Sequence, residues 1–138
     1  MRPTVMMPWL VALVLLGLGL GGCNRQDTPQ GAYRLFHDKV RKGELREAWA
    51  VLSKPTQDAL AERARAVSEA SGGTEKPEPL ALFFANVPPP PDVTEVSLVR
   101  EEGDKATVLV RSPGSSHEVQ MVREPSGWKV DLSASLQP

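Results

Sequence analysis

Residues 95–132 read EVSLVREEGDKATVLVRSPGSSHEVQMVREPSGWKVDL, and this stretch decides the fold. Val96 and Leu98 alternate with Glu95 and Ser97. Ala106, Val108 and Val110 alternate with Thr107, Leu109 and Arg111. Val119 and Met121 alternate with Gln120 and Val122, and Trp128, Val130 and Leu132 with Lys129 and Asp131. A period of two marks strands that bury one face. Turn formers separate the runs: Glu102-Gly103-Asp104, Pro113-Gly114-Ser115-Ser116 and Pro125-Ser126-Gly127. The pattern predicts a four-stranded antiparallel meander with one continuous apolar face. Paired residues share a face, so setting Val96 and Leu98 against Val108 and Val110 requires an odd number of loop residues. A three-residue loop, Glu102-Gly103-Asp104, meets that requirement.

On the N-terminal side the period lengthens. Thr28-Pro29 reads as an N-cap and a first helical residue. Tyr33, Phe36, His37 and Val40 follow at helical spacing, and Lys42-Gly43 ends the segment. Leu45, Ala48, Trp49 and Leu52 repeat the spacing in a second helix. Ser53-Lys54-Pro55 breaks the chain and restarts it, and Ala59, Leu60, Ala64 and Val67 mark a third helix, stopped by Ser71-Gly72-Gly73. The apolar island Leu80 to Ala85 is too short to assign by period. Pro88 to Pro91 form a stiff, extended spacer between the helical half and the strands. Tyr33, Phe36, Trp49, Phe83, Phe84 and Trp128 are all expected in the core or the island. Helices followed by an antiparallel sheet define an α+β domain.

Composition narrows the function. In 138 residues, 16 basic groups balance 17 acidic ones, which argues against a basic nucleic-acid-binding surface. One Cys excludes an internal disulfide, and with two His it leaves no cysteine/histidine metal cage. No cofactor is expected.

Val5 to Gly22 is an uncharged run behind Arg2, the layout of a secretory signal. It ends in Leu20-Gly21-Gly22-Cys23, which resembles the bacterial lipobox. Small side chains let an extended backbone enter the lipoprotein signal peptidase, and the Cys23 thiol takes the lipid. Gly17, Gly19 and Gly22 also satisfy a G-x-G-x-x-G pattern. It lies inside the apolar run, where no strand–loop–helix unit can form, and carries no weight. The expected division is a signal peptide over residues 1–22, a tether over 23–30 and a single domain over 31–138. Acylated Cys23 would hold the protein at a membrane of the cell envelope, facing the periplasm. Asn24, where Asp would mark retention at the inner membrane, hints at the outer membrane. Val99, Leu109 and Val122 fall off the inner phase of their strands. Unless a bulge turns them inward or a loop covers them, they predict an apolar outer face fit for a homodimer or another envelope protein.

Tyr33-Arg34-Leu35-Phe36, Lys42-Gly43-Glu44-Leu45-Arg46-Glu47-Ala48-Trp49, Leu52-Ser53 and Gly127-Trp128-Lys129-Val130-Asp131-Leu132 together resemble small bacterial lipoproteins with a nuclear transport factor 2-like, or cystatin-like, fold. The resemblance covers most of residues 30 to 132 and implies a curled sheet, a roll, with a pocket between helices and sheet. The family includes binding modules and enzymes such as ketosteroid isomerase-like members, so the fold leaves function open. A non-catalytic accessory or binding module is the leading expectation, with a small-ligand binder or proton-transfer enzyme as the alternative. Tyr33 and His37, four residues apart on one helix face, are the pocket candidates. In a proton-transfer enzyme His37 would be the base and Tyr33 the hydrogen-bond donor, with Asp38 and Asp131 as carboxylates. Alternation places Asp131 outward, and Ser115-Ser116-His117 reads as a polar hairpin loop.

Overall fold

The computed structural model describes residues 25–137. The signal segment 1–22 and the lipobox Leu20, Gly21, Gly22 and Cys23 lie outside the described residues. The alternating runs form β1 (Glu95–Glu102), β2 (Lys105–Ser112), β3 (Ser115–Glu124) and β4 (Gly127–Asp131), paired antiparallel in chain order. Their inner phase is apolar and buried at Val96, Ala106, Val108, Val110, Val119, Met121, Trp128 and Val130.

The parity requirement is met by a different device from the one expected. Val96 does pair with Val110, and Leu98 with Val108, yet the turn is only Gly103-Asp104, with Glu102 opposite Lys105. The missing residue is supplied inside β1, where the register shifts between Leu98 and Arg100 and leaves Val99 in a bulge. Gly103 adopts φ +61°, a conformation that a side chain disfavours. Leu98 keeps the inner phase but is 41% exposed, because β1 is the sheet's open edge and has a neighbouring strand on one side only. The second hairpin turns on Pro113-Gly114 with Ser112 opposite Ser115. Ser115, Ser116 and His117 are therefore strand residues, not the expected loop.

The helices start where their capping chemistry permits. In α1 (Pro29–Arg41) the Thr28 hydroxyl accepts from Gly31 N at 3.0 Å and Pro29 takes the first position. The helix buries Ala32, Tyr33, Phe36 and His37. The second helix, α2 (Leu45–Trp49), ends a turn earlier than its spacing predicts. Leu52 has left it to bridge Val130, with Val130 N donating to Val51 O at 2.8 Å and Ser53 N to Val130 O at 2.9 Å. This closes the free edge of β4. Ser53 is extended because it caps α3 (Lys54–Ala70), which buries Thr56, Leu60 and Ala64. The apolar island is a helix, α4 (Pro79–Asn86), whose start is fixed by Glu78 accepting from Leu80 N and Ala81 N. Trp49, Phe83 and Phe84 pack half-buried against the core rather than inside it, and Leu132 does the same.

The chain is docked from Arg25 onward, within the stretch expected to be a tether. Arg25–Asp27 form a single 3-10 turn, from which Gln26 Nε2 donates to Trp128 O at 3.1 Å. A Cβ at Gly127 would stand 2.8 Å from Gln26 Cβ, so the close approach requires glycine there. On the outer face of the sheet Thr107 is buried. Its hydroxyl accepts from Arg100 at 3.2 Å and donates to Gln120 Oε1 at 3.1 Å. Leu109 and Val122 lie half-buried beside this polar row, and Val99, the bulge residue, is exposed. Among the described residues, no helix is long and apolar enough to cross a membrane.

Candidate functional site

The inner face of the sheet is not wholly filled by the helices. Tyr33, Phe36 and His37 from α1, Phe83 and Phe84 from α4, and the prolines 88–91 surround a cavity of about 650 Å³ over Val119 and Val130. Leu132, Ala134 and Leu136, in and before a C-terminal 3-10 turn, complete the wall. Volumes of about 300–1,000 Å³ with mainly apolar walls are typical of small-molecule sites. The aromatic wall is continuous. Phe36 lies 6.3 Å from Phe84 between ring centres, and Phe83 meets Phe84 edge-on at 5.1 Å and 75°. Such edge and tilted contacts hold rings without filling the space in front of them.

The prolines are a strap across this space rather than a free spacer. His37 Nε2 lies 2.9 Å from the Pro90 carbonyl oxygen, and a carbonyl only accepts, so Nε2–H is the donor. That bond fixes the tautomer of the neutral ring and commits one nitrogen of His37 to the backbone. Tyr33 stacks on His37 with ring centres 6.2 Å apart and planes 23° from parallel. Burial pushes the Tyr33 hydroxyl up to about 12, so it stays protonated and can serve only as a neutral hydrogen-bonding group.

Neither carboxylate expected beside this pair serves it. Asp38 is occupied by Lys42, whose hydrogen bond at 3.2 Å holds its carboxyl below the usual range. Asp131 has the outward phase of β4, opposite Gln120, but its carboxylate turns back to the start of α3. Asp131 Oδ1 accepts from Ser53 Oγ at 2.9 Å, Thr56 Oγ1 at 3.2 Å and Ser133 Oγ at 2.8 Å. Thr56 Oγ1 in turn accepts from Leu132 N at 2.8 Å. Burial alone would raise the Asp131 carboxyl, but the hydrogen bonds from Ser133, Ser53 and Thr56 outweigh it and hold it below its ordinary value. This is a clasp between α3 and β4. A base oriented by an acid, as acid–base catalysis needs, is not assembled around Tyr33 and His37.

Polar residues line the cavity from several sides, among them Arg63 from α3 and Ser135 from the C-terminal turn. Ser112, Ser115 and His117 line it from the β2–β3 hairpin. Ser112 Oγ is buried and has no hydrogen-bond partner. Sequence reasoning passed over Ser112 because it stands at a strand end beside a turn, where serine is unremarkable. It missed the clasp because only the Ser53 cap is a local signal, and Asp131 is remote in the chain. The acidic turn resolves into an ion pair, Asp104 with Arg123 at 3.2 Å, and no metal-holding cluster occurs among the described residues. Compared with known protein families, with curated proteins and with solved structures, the chain matches none of them.

Proposed function

We propose that the protein is a lipid-anchored lipoprotein of the bacterial cell envelope, whose domain is a cystatin-like roll acting as a non-catalytic binding module for a small, largely apolar ligand. The observation that carries the binding is the aromatic-walled cavity of about 650 Å³. In this reading Tyr33 and His37 are wall and strap anchor, not acid and base. The anchor rests on Leu20-Gly21-Gly22-Cys23 behind an apolar run. Arg25, two residues after Cys23, already belongs to the docked 3-10 turn, so the acyl chains would hold the domain close against the bilayer on its periplasmic side.

Mass spectrometry of the membrane-extracted protein tests both parts. The expected species begins at an acylated Cys23 and carries a noncovalent small molecule. That molecule is expected to be lost from Leu132→Trp, whose larger side chain occupies the cavity. A retained Met1 or an unmodified thiol overturns the anchor. A wild-type protein that is empty, and takes up no added hydrophobic probe, overturns the binding.

A further inference from the structure

The start of the domain carries another concavity, and its chemistry is the opposite of the aromatic one. Arg25 from the 3-10 turn, Arg34, His37, Asp38 and Arg41 from α1, and Val93 ahead of β1 surround a depression of about 230 Å³. Arg34, Asp38 and Arg41 fall at i, i+4 and i+7 on one face of the helix, and the docked turn sets Arg25 beside them. All three arginines are exposed. Asp38, the carboxylate of the lining, is taken by Lys42 at 3.2 Å, and Arg41 has only a loose pair with Asp92 at 3.8 Å. Among the described residues, the side chains of Arg25 and Arg34 have no ion pair or hydrogen bond. Their planar, permanently charged forks are therefore free to take a phosphate.

We infer that this depression is a docking face for the phosphate headgroups of anionic phospholipid in the membrane that holds the anchor. The inference rests on the acylation of Cys23 proposed above. Two residues span at most about 7 Å and a headgroup layer is roughly 5–8 Å deep, so an acylated Cys23 carries Arg25 into that layer. Arg34 and Arg41 share the depression with Arg25 and come to the same surface. The chain as a whole gains nothing from an anionic bilayer, since 16 basic groups stand against 17 acidic ones. Elsewhere Arg65 is paired with Glu62 and Glu69, Arg111 with Glu95, and Arg123 with Asp104. The acyl chains fix the distance to the bilayer but let the domain pivot about the anchor. Arginine–phosphate contacts remove that freedom and turn one face of α1 to the lipid. His37 lines both the depression and the aromatic cavity, so the docked orientation sets the strap side of the cavity beside the membrane.

The acylated protein can be placed in vesicles of phosphatidylcholine alone or with one-third phosphatidylglycerol. A neutral, arginine-specific dicarbonyl is then added, and modification of each arginine is followed by mass spectrometry. The acyl chains hold the protein on both vesicles, so attachment itself cancels from the comparison. Modification of Arg25, Arg34 and Arg41 is expected to slow roughly fivefold with phosphatidylglycerol, the equivalent of ~1 kcal/mol per contact, and to recover in molar salt. The rate at Arg63, which donates to Leu136 O on α3 and has no carboxylate partner, should not change. The double variant Arg25→Gln/Arg34→Gln alters two exposed side chains and leaves the core untouched, and in it Arg41 should lose most of its protection. Equal rates on the two vesicles overturn the inference and leave the anchor reading intact. So does equal slowing at Arg63, or full protection of Arg41 in the double variant. If millimolar glycerol phosphate protects the three arginines on phosphatidylcholine as well as phosphatidylglycerol does, the depression takes a soluble phosphate ester and the membrane role is overturned. A chain with an unmodified Cys23 that does not float with phosphatidylcholine vesicles overturns the anchor reading, and the inference with it.

Discussion

At the β4 side of the domain, Trp128, Leu52 and Leu60 are enclosed, and the polar groups among them are matched: Ser53, Thr56 and Ser133 converge on Asp131, and Lys129 Nζ donates to Ala50 O at 2.8 Å. Under the strap, Phe83 and Phe84 are half-buried, a cavity stands between them and the sheet, and Ser112 Oγ has no partner. Both regions use the same sheet and neighbouring helices. Close packing and satisfied hydrogen bonds at one end give the domain its stability. The other end gives up packing, and the space it leaves is where binding can occur. If this division is real, equivalent changes in the two regions must have unequal effects.

The largest difference is expected between two aromatic truncations. Trp128→Ala removes a side chain that is 2% exposed, and a loss of about 3–5 kcal/mol is expected from urea-unfolding midpoints. Phe84→Ala removes a ring that already faces a cavity and has fewer contacts to lose, so about 1–2 kcal/mol is expected. Losses of equal size would erase the distinction and mean that the cavity wall is as much a part of the core as β4.

The same division separates what local sequence could reveal from what it could not. Val108, Val110, Trp128 and Val130 alternate so regularly that only one face could be buried, Thr28-Pro29 announces a helix start by capping chemistry, and Ser53-Lys54-Pro55 marks a break and a restart. The bulge at Val99 was not legible. Parity demanded one extra residue but was silent on whether the loop or the strand would hold it. The helix α4 was hidden because a run of six apolar residues fits either period. Asp131 was misplaced because alternation reports the direction of a backbone position, whereas a carboxylate follows its donors, here hydroxyls on a helix distant in the chain. The cavity is a space between elements, and no pattern within one element encodes it. Tyr33 and His37 were found beside it because apolar-face residues of α1 must face the sheet. Their roles depended on Pro90, which only the folded chain brings near.

A smaller effect, with its own pH signature, is expected from Asp131→Asn. The amide keeps an acceptor but loses the charge to which Ser53, Thr56 and Ser133 donate, and about 1–3 kcal/mol should be lost near neutral pH. The Asp131 carboxyl lies below its ordinary value in the folded protein. Its contribution is therefore fully present above the unfolded value of about 3.9 and disappears as pH falls through the lower, folded one. The stability gap between wild type and Asp131→Asn should hold constant from neutral pH to about 5, narrow below about 4 and close in stronger acid. A gap that persists unchanged into acid would show that the clasp depends on shape and not on the carboxylate's charge.

The smallest effect belongs to the strap, and it sharpens the comparison most. His37→Phe preserves a flat ring for Tyr33 to stack on, and a phenyl group suits the surrounding aromatic wall, but it cannot donate to Pro90 O. Pro90 lies at the surface end of a part-buried hydrogen bond, so water can replace the lost donor and the net cost should be about 0.5–1.5 kcal/mol. The effect on local opening should be more visible than the effect on global stability. The prolines have no amide hydrogens, so the reporters are the hydrogen-bonded amides on either side of them, Val87, which donates to Phe83 O, and Thr94, which donates to Arg111 O. Their hydrogen exchange should quicken several-fold in His37→Phe, while that of Val130 and Ser53, whose amides hold the β4 edge, should not change. Such local loosening would identify the His37–Pro90 bond as the fastening of the strap over the cavity. If the β4-edge amides quicken in proportion, the strap and the clasped side open as one unit, and the two regions are not independent.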